Sequence, residues 1–198
     1  MIFYIDEIQL IIEECKRGYQ DNSNPANLAI LINFELGLRV GELVALKYSD
    51  FDFKAMEVRI ERQESDGEIE EYVKKDSPAG YRTLKISETV KKFVQMARLN
   101  DGGEYLFCSN GNRLHTRNIG CRLEKIQQKL KFEIIRETHC IRRTVASKMN
   151  ADSIPLDEIR RWLGHTDKQT TLGYIYNIYR EDTTGDMHRS NSILTKYA

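Results

Sequence analysis

The stretch PANLAILINFELGLRVGELVALKYSDFD, residues 25–52, constrains the fold most, because it reads as two helical segments interrupted around Gly37. Pro25 suits a first helical turn, where its missing N–H is not needed, and Gly37, lacking a Cβ, permits a tight bend. The run LAILI at 28–32 is among the longest apolar runs in the chain, far short of the roughly 20 apolar residues that cross a bilayer. The sequence before it, IDEIQLIIEECKR, has apolar residues at helical spacing over 5–17 and meets Gly18, which predicts a first helix ending there. AMEVRIERQ, EIEEYVK and YRTLKIS read as three short strands, the last two joined by the turn-rich DSPAG. SETVKKFVQMARL returns to helix with Ser87 as its cap, and EYLFCS is a short extended piece. Further helices are predicted near 116–130, 139–150, 155–163 and 169–177, with Pro155 in the first turn of the third. Helices, then a small antiparallel sheet, then helices again make an α+β fold, mainly helical, with a small three-stranded antiparallel sheet.

The 198 residues, 40% hydrophobic with only 12 Gly and 3 Pro, fit one globular domain rather than a disordered or fibrous chain. No basic N-terminal region precedes an apolar stretch, so neither a secretory leader nor a membrane anchor is expected. Cysteines 15, 108, 121 and 140 form no CxxC pair and no metal spacing, which predicts free thiols in a reducing cytoplasm. Thirty acidic and thirty basic residues cancel, and a neutral chain is by itself a poor candidate for a nucleic-acid partner. The charge is not evenly spread, however. Seven acids fall in 57–71, whereas 111–148 holds ten Lys and Arg against three Glu, an electrostatic footprint suited to a polyanion.

Within that basic segment lies ETHCIRRTVASKMN, residues 137–150, with Thr138 placed to cap a helix that opens on His139. Residues three apart share a helix face, so an imidazole and the Arg142 guanidinium are expected to point the same way, Arg143 less so. Free N–H groups at a helix start suit an anion, phosphate above all. Taken alone, each such feature has an ordinary reading. Arg39 and Glu42 match a surface ion pair, LGH at 163–165 matches a helix end and a loop histidine, and Tyr174, Tyr176 and Tyr179 match a packing stripe.

In order along the chain stand LGLRVGEL with Arg39, YVKKDSPAGYR with Lys74 and Lys75, HCIRR with His139 and Arg142, WLGH with His165, and TTLGYIY with Tyr174. This series resembles the catalytic domain of the tyrosine recombinases, the phage integrase family, over essentially the whole chain. The resemblance implies that residues 1–198 are a single catalytic domain without the N-terminal helical domain that family members carry. It implies a tyrosine nucleophile at Tyr174, with Tyr176 second; TTxxY favours the former, and on a helix the two would face different ways. Arg39 and Arg142 would clamp the scissile phosphate, with His139 and His165 adding hydrogen bonds or managing the nucleophile's proton. A hairpin lysine would protonate the leaving 5′ hydroxyl. The match to VKK favours Lys74, and Lys75 stays a candidate because strand neighbours point to opposite faces.

The chemistry of those residue types agrees. A phosphodiester gathers charge on its non-bridging oxygens as it is attacked, and guanidinium is a planar cation that matches them and stays charged. A phosphotyrosine conserves the energy of the broken strand, so rejoining needs no ATP, and nothing in the set requires a metal or another cofactor. The expected partner is double-stranded DNA, with a tetramer on DNA at full length and a monomer for this chain alone. Residues after the tyrosine would pack on a neighbouring subunit through Ile193 and Leu194. Two other readings share many of these residues: a DNA relaxing enzyme of the type IB topoisomerase kind, and a non-catalytic DNA-binding protein that kept the fold.

Overall fold

The computed structural model describes residues 1–71, 80–101 and 103–179. Its centre is α2 (Pro25–Leu36), ten of whose twelve residues are buried, which is why it is apolar on nearly every face. Helices α1 (Ile5–Asn22), α4 (Glu88–Asp101), α5 (Thr116–Lys129) and α6 (His139–Ala151) pack around it. Asn24 caps α2 by accepting from Ala26 N at 2.9 Å, and Gly37 ends it with φ of 62°. Gly37 has two reasons to be glycine. The left-handed backbone is costly for any residue with a Cβ, and a Cβ here would lie 2.9 Å from Val145 Cγ1 on α6. The bend turns the chain directly into Arg39 and α3 (Val40–Val44).

The first helix runs past its predicted end at Gly18 and stops at Asn22, with Ser23 in the left-handed conformation. Gly18 serves packing instead: a Cβ on it would run into Arg122 Nη2 and lie 3.1 Å from Asn27 Nδ2. The strands also regroup. The three-stranded antiparallel sheet is formed by β1 (Phe51–Asp52), β2 (Glu57–Ile60) and β5 (Arg82–Lys85), in that order, with Phe51 opposite Val58 and Ile60 opposite Arg82. The segment expected as one strand from Ala55 breaks at Glu61. Its second half, β3 (Arg62–Ser65), pairs with β4 (Glu68–Glu71) as a separate hairpin. Two contacts draw β3 away: Arg62 forms a buried ion pair with Asp50 at 2.8 Å, and Gly41 of α3 comes so close that a Cβ would sit 2.6 Å from Glu64 O. Lys74, Lys75 and residues 76–79 of the loop DSPAG lie outside the described residues.

Ser87 caps α4 as expected, its Oγ accepting from Val90 N at 3.1 Å. EYLFCS contributes β6 (Cys108–Ser109), paired with β7 (Asn112–Arg113). Helix α7 (Leu156–Leu163) starts behind Pro155. The last helix, predicted over 169–177, is the single-turn α8 (Lys168–Leu172). Apolar side chains of α1, α2, α4 and α5 join those of the sheet in the main core, and Ala146, Ile159 and Leu163 form a smaller cluster against which Tyr174 packs. Cys15, Cys108 and Cys140 are buried free thiols and Cys121 is an exposed one. No helix among the described residues is long and apolar enough to cross a membrane.

Gly37→Ala should lower the unfolding free energy in urea by roughly 2 kcal/mol, combining backbone strain with overpacking against Val145. Gly111 has φ of 77° but open space around it, so Gly111→Ala should cost about half as much; equal costs would show that the Val145 contact does not matter.

Candidate active site

The site is built on one buried carboxylate. Glu42, on α3, is 1% exposed and gathers three guanidinium groups from three elements. Arg39, at the start of α3, donates to it through its backbone N–H at 2.9 Å and Nη1 at 3.0 Å. Arg82, at the start of β5, donates Nη1 and Nη2 at 3.0 and 2.8 Å. Arg142, on α6, stands 3.9 Å from it. Burial alone would raise the Glu42 pKa, but the hydrogen bonds and charge of Arg82, then the charges of Arg142 and Arg39, hold it down at about 2. Three cations around one anion leave excess positive charge in a dry setting, where it acts strongly on an incoming phosphate.

The arginines differ in what they offer. The Arg39 side chain is 41% exposed and presents its remaining donors outward. Arg142 is fully buried beneath it, with Nη1 donating to Gly37 O at 2.9 Å and Nη2 to Leu163 O. Burial works against its charge while Glu42 supports it. Arg82 donates Nε to Trp162 O at 2.8 Å, so with Arg142 it holds the C-terminal end of α7, whose carbonyls carry partial negative charge. Gly164 then turns the chain with φ of 66° and delivers His165.

Tyr174 stands just beyond α8 rather than on it. Asp167 starts that helix by accepting from Thr170 N at 2.7 Å, and Gly173 follows its last residue. The helix is not continued because Tyr176 N donates to Ser147 Oγ at 3.0 Å, which draws the chain out along α6. The Tyr174 hydroxyl lies 2.8 Å from His139 Nε2, the ring of His165 packs on its ring at 4.6 Å between centroids, and Arg143 covers the ring at 5.5 Å. The expected sharing of a face by His139 and Arg142 is corrected in one respect: Arg143, four residues on, joins His139 on the tyrosine, while Arg142 turns inward. Thr138 precedes α6 but its side chain makes no capping bond, because its own backbone is already helical. Tyr176 is 40% exposed and faces a different cleft, with Met1 and Tyr179.

Both histidines have their pKa lowered, which favours the neutral imidazole. His165 is buried with Nδ1 3.1 Å from Thr171 Oγ1, and burial followed by Arg142, Arg39 and Arg82 lowers its pKa to about 4. Its Nε2 has no hydrogen-bond partner among the described residues. His139 is lowered by burial and then by Arg143, Arg142 and Arg39. A neutral imidazole beside a phenol can accept its proton, which a charged one cannot.

Arg39, His139, Arg142, His165 and Tyr174 thus meet in one place. Lys74 and Lys75 lie outside the described residues. Sequence reasoning did not single out Arg82, Ser147 or Thr171, and it set Arg143 aside in favour of Arg142. For Arg143 and Ser147 the signal was spacing, four and eight residues after His139. The basic segment is less open than its composition implies: Arg113, Lys129, Arg136 and Lys148 pair with Glu64, Glu14, Glu7 and Asp152, and Arg142 is buried.

This helical fold with its small sheet is that of tyrosine-recombinase catalytic domains. The sequence matches the phage integrase family over residues 2–181, and the chain belongs to that family. It is 24% identical to a probable integrase/recombinase of Acholeplasma phage L2, covering 87% of this chain and 56% of that protein. It is 32% identical to the tyrosine recombinase XerC of Shewanella amazonensis, covering 71% and 45%. Among solved structures, the Tn1549 transposon integrase in complex with a circular intermediate DNA superposes with a TM-score of 0.75 at 19% identity, over 96% of this chain and 65% of that one. The XerA recombinase gives 0.73 at 23% identity, over 97% and 65%. The chain spans about half the length of the curated relatives it matches.

The two groups set pH dependence in different windows. Glu42 has a lowered folded pKa, so its contribution, about 3 kcal/mol, is full above its ordinary 4.5 and is lost as pH falls toward 2. His165 is also lowered, so the protonated unfolded chain gains on the fold as pH falls from 6.5 to about 4. Urea unfolding from pH 7.5 to 3 should show both losses, and His165→Asn should flatten the upper one only; an unchanged upper slope would contradict the neutral burial of His165.

Proposed function

We propose that this chain is the catalytic domain of a site-specific DNA recombinase, cutting and rejoining strands through a 3′-phosphotyrosine on Tyr174. The observation that carries this reading is the Tyr174 hydroxyl 2.8 Å from His139 Nε2, beside three arginines gathered on Glu42. His139 takes the phenol proton as Tyr174 attacks the phosphorus. The bond to the 5′ oxygen breaks, and Lys74 or Lys75 gives that oxygen its proton. Arg39 holds the non-bridging oxygens from the open side, and Arg142 adds charge and its remaining donors from the floor of the site. His165 adds a hydrogen bond through Nε2, which is buried and has no partner among the described residues. Attack by a 5′ hydroxyl on the phosphotyrosine reverses the sequence and reseals the strand, with no cofactor in the scheme.

The partner in this reading is double-stranded DNA in the cytoplasm, with four catalytic domains on two duplexes in the full-length assembly and a monomer for the chain alone. The integrase and XerC relatives support strand exchange over simple relaxation.

The test is a nicked suicide substrate from the cognate attachment region, with covalent adduct read after denaturation. Wild type and Tyr176→Phe should form adduct, Tyr174→Phe none, and His139→Gln should slow its formation by about 100-fold. Adduct in Tyr174→Phe would move the nucleophile, and none in any variant would leave a DNA-binding protein.

A further inference from the structure

From Gly173 to Tyr179, the last described residue, the chain that carries Tyr174 belongs to no regular element, so its position rests on individual contacts. Three of them come from one stripe of α6. His139, Arg143 and Ser147 are spaced four residues apart, which sets them along one side of the helix, about 6 Å apart in rise. They meet Tyr174 in sequence from tip to root. His139 bonds the hydroxyl, Arg143 covers the ring and Ser147 holds the backbone. Ser147 is 1% exposed. Its oxygen accepts from Tyr176 N at 3.0 Å, and its proton serves Tyr174 O at 3.1 Å or Arg143 O, one turn back, at 2.8 Å. A single hydroxyl therefore ties the backbone on both sides of Ile175, the residue between the two tyrosines. Further on, buried Ile178 also anchors the chain, its carbonyl accepting from Ile5 N at 3.3 Å.

We infer that Ser147 is a positioning residue for the nucleophile: it fixes the register of residues 174–176 on α6, so that Tyr174 and not Tyr176 meets His139. The catalytic part of this inference rests on the recombinase reading; the hold on the backbone does not. Ser147 touches neither the phosphate-binding arginines' outward face nor the reacting atoms, so its loss acts on the placement of Tyr174 and leaves DNA affinity alone. A shift of about 1 Å in a reacting group is enough to cost up to 100-fold in rate.

Two measurements on Ser147→Ala test it, with Ser147→Thr restoring the hydroxyl and Ser147→Cys as a second, size-matched replacement should Ala unfold. The first needs no DNA. Amide hydrogen exchange across residues 174–178 should accelerate about tenfold in Ser147→Ala while α2 stays protected, and Ser147→Thr should recover most of the protection. The second is single-turnover cleavage of the nicked substrate at saturating DNA, with the modified peptide identified. Cleavage should fall about tenfold or more with the DNA dissociation constant within about twofold of wild type, and part of the adduct should move to Tyr176. Unchanged exchange in 174–178, or wild-type cleavage confined to Tyr174, would overturn the inference. If wild type forms no adduct, the recombinase reading fails, and the exchange measurement still decides whether Ser147 holds this segment.

Discussion

The carboxylate of Glu42 is where the molecule places its most expensive charge, and the surrounding structure is arranged to keep it. An ion removed from water costs several kcal/mol, which only close geometry and multiple hydrogen bonds can offset. Here Arg82 supplies a two-pronged bond, Arg39 supplies side chain and backbone, and Arg142 supplies charge from below. Each comes from a different element, β5, α3 and α6, so the interaction is a junction between the sheet and the helices. Its reach is wider than its contacts, because Arg82 and Arg142 also hold the end of α7, and His165 follows two residues later. Arg142 further binds Gly37 O, tying the bend at the end of α2 into the same junction.

That arrangement makes the electrostatics of the site coherent. Burial, and after it the arginines that draw an anion, lower the pKa of His139 and His165, so the same site that would bind a phosphate favours an imidazole able to accept a phenolic proton. Exposure divides the labour among the guanidiniums. Arg39 keeps donors facing outward, Arg82 commits most of its donors to Glu42 and to carbonyls, and Arg142 spends one donor each on Gly37 O and Leu163 O. The tyrosine is held separately, by α6 along its whole length and by the small cluster of Ala146, Ile159 and Leu163.

How much of this was legible in the sequence depended on the range of the interactions. Local physics was readable: Pro25 and Gly37 bracket α2, Ser87 caps α4, and the pairing of Arg39 with Glu42 lies within one turn. Reading failed where partners are distant. Gly18 looked like a helix end and is a packing glycine against Arg122, more than a hundred residues away. The strand from Ala55 looked continuous and breaks because Arg62 turns to Asp50 and α3 sits on Glu64. The helix expected to reach 177 stops because Ser147 competes for the backbone of Tyr176.

The same division holds for the site. By itself the sequence nominated the set: two arginines, two histidines, a hairpin lysine at 74 or 75 and a tyrosine, in an order that resembles one family, with residue types matched to a phosphodiester. Only the tertiary structure decided their states. It buried Arg142 and exposed Arg39, made Glu42 a partner of three arginines rather than one, brought Arg82 in from β5, and set the Tyr174 hydroxyl, not that of Tyr176, against His139. The reason is physical. Identity and short-range spacing are written along the chain, whereas burial, charge environment and the contest for a hydrogen bond depend on which distant segments the fold sets side by side.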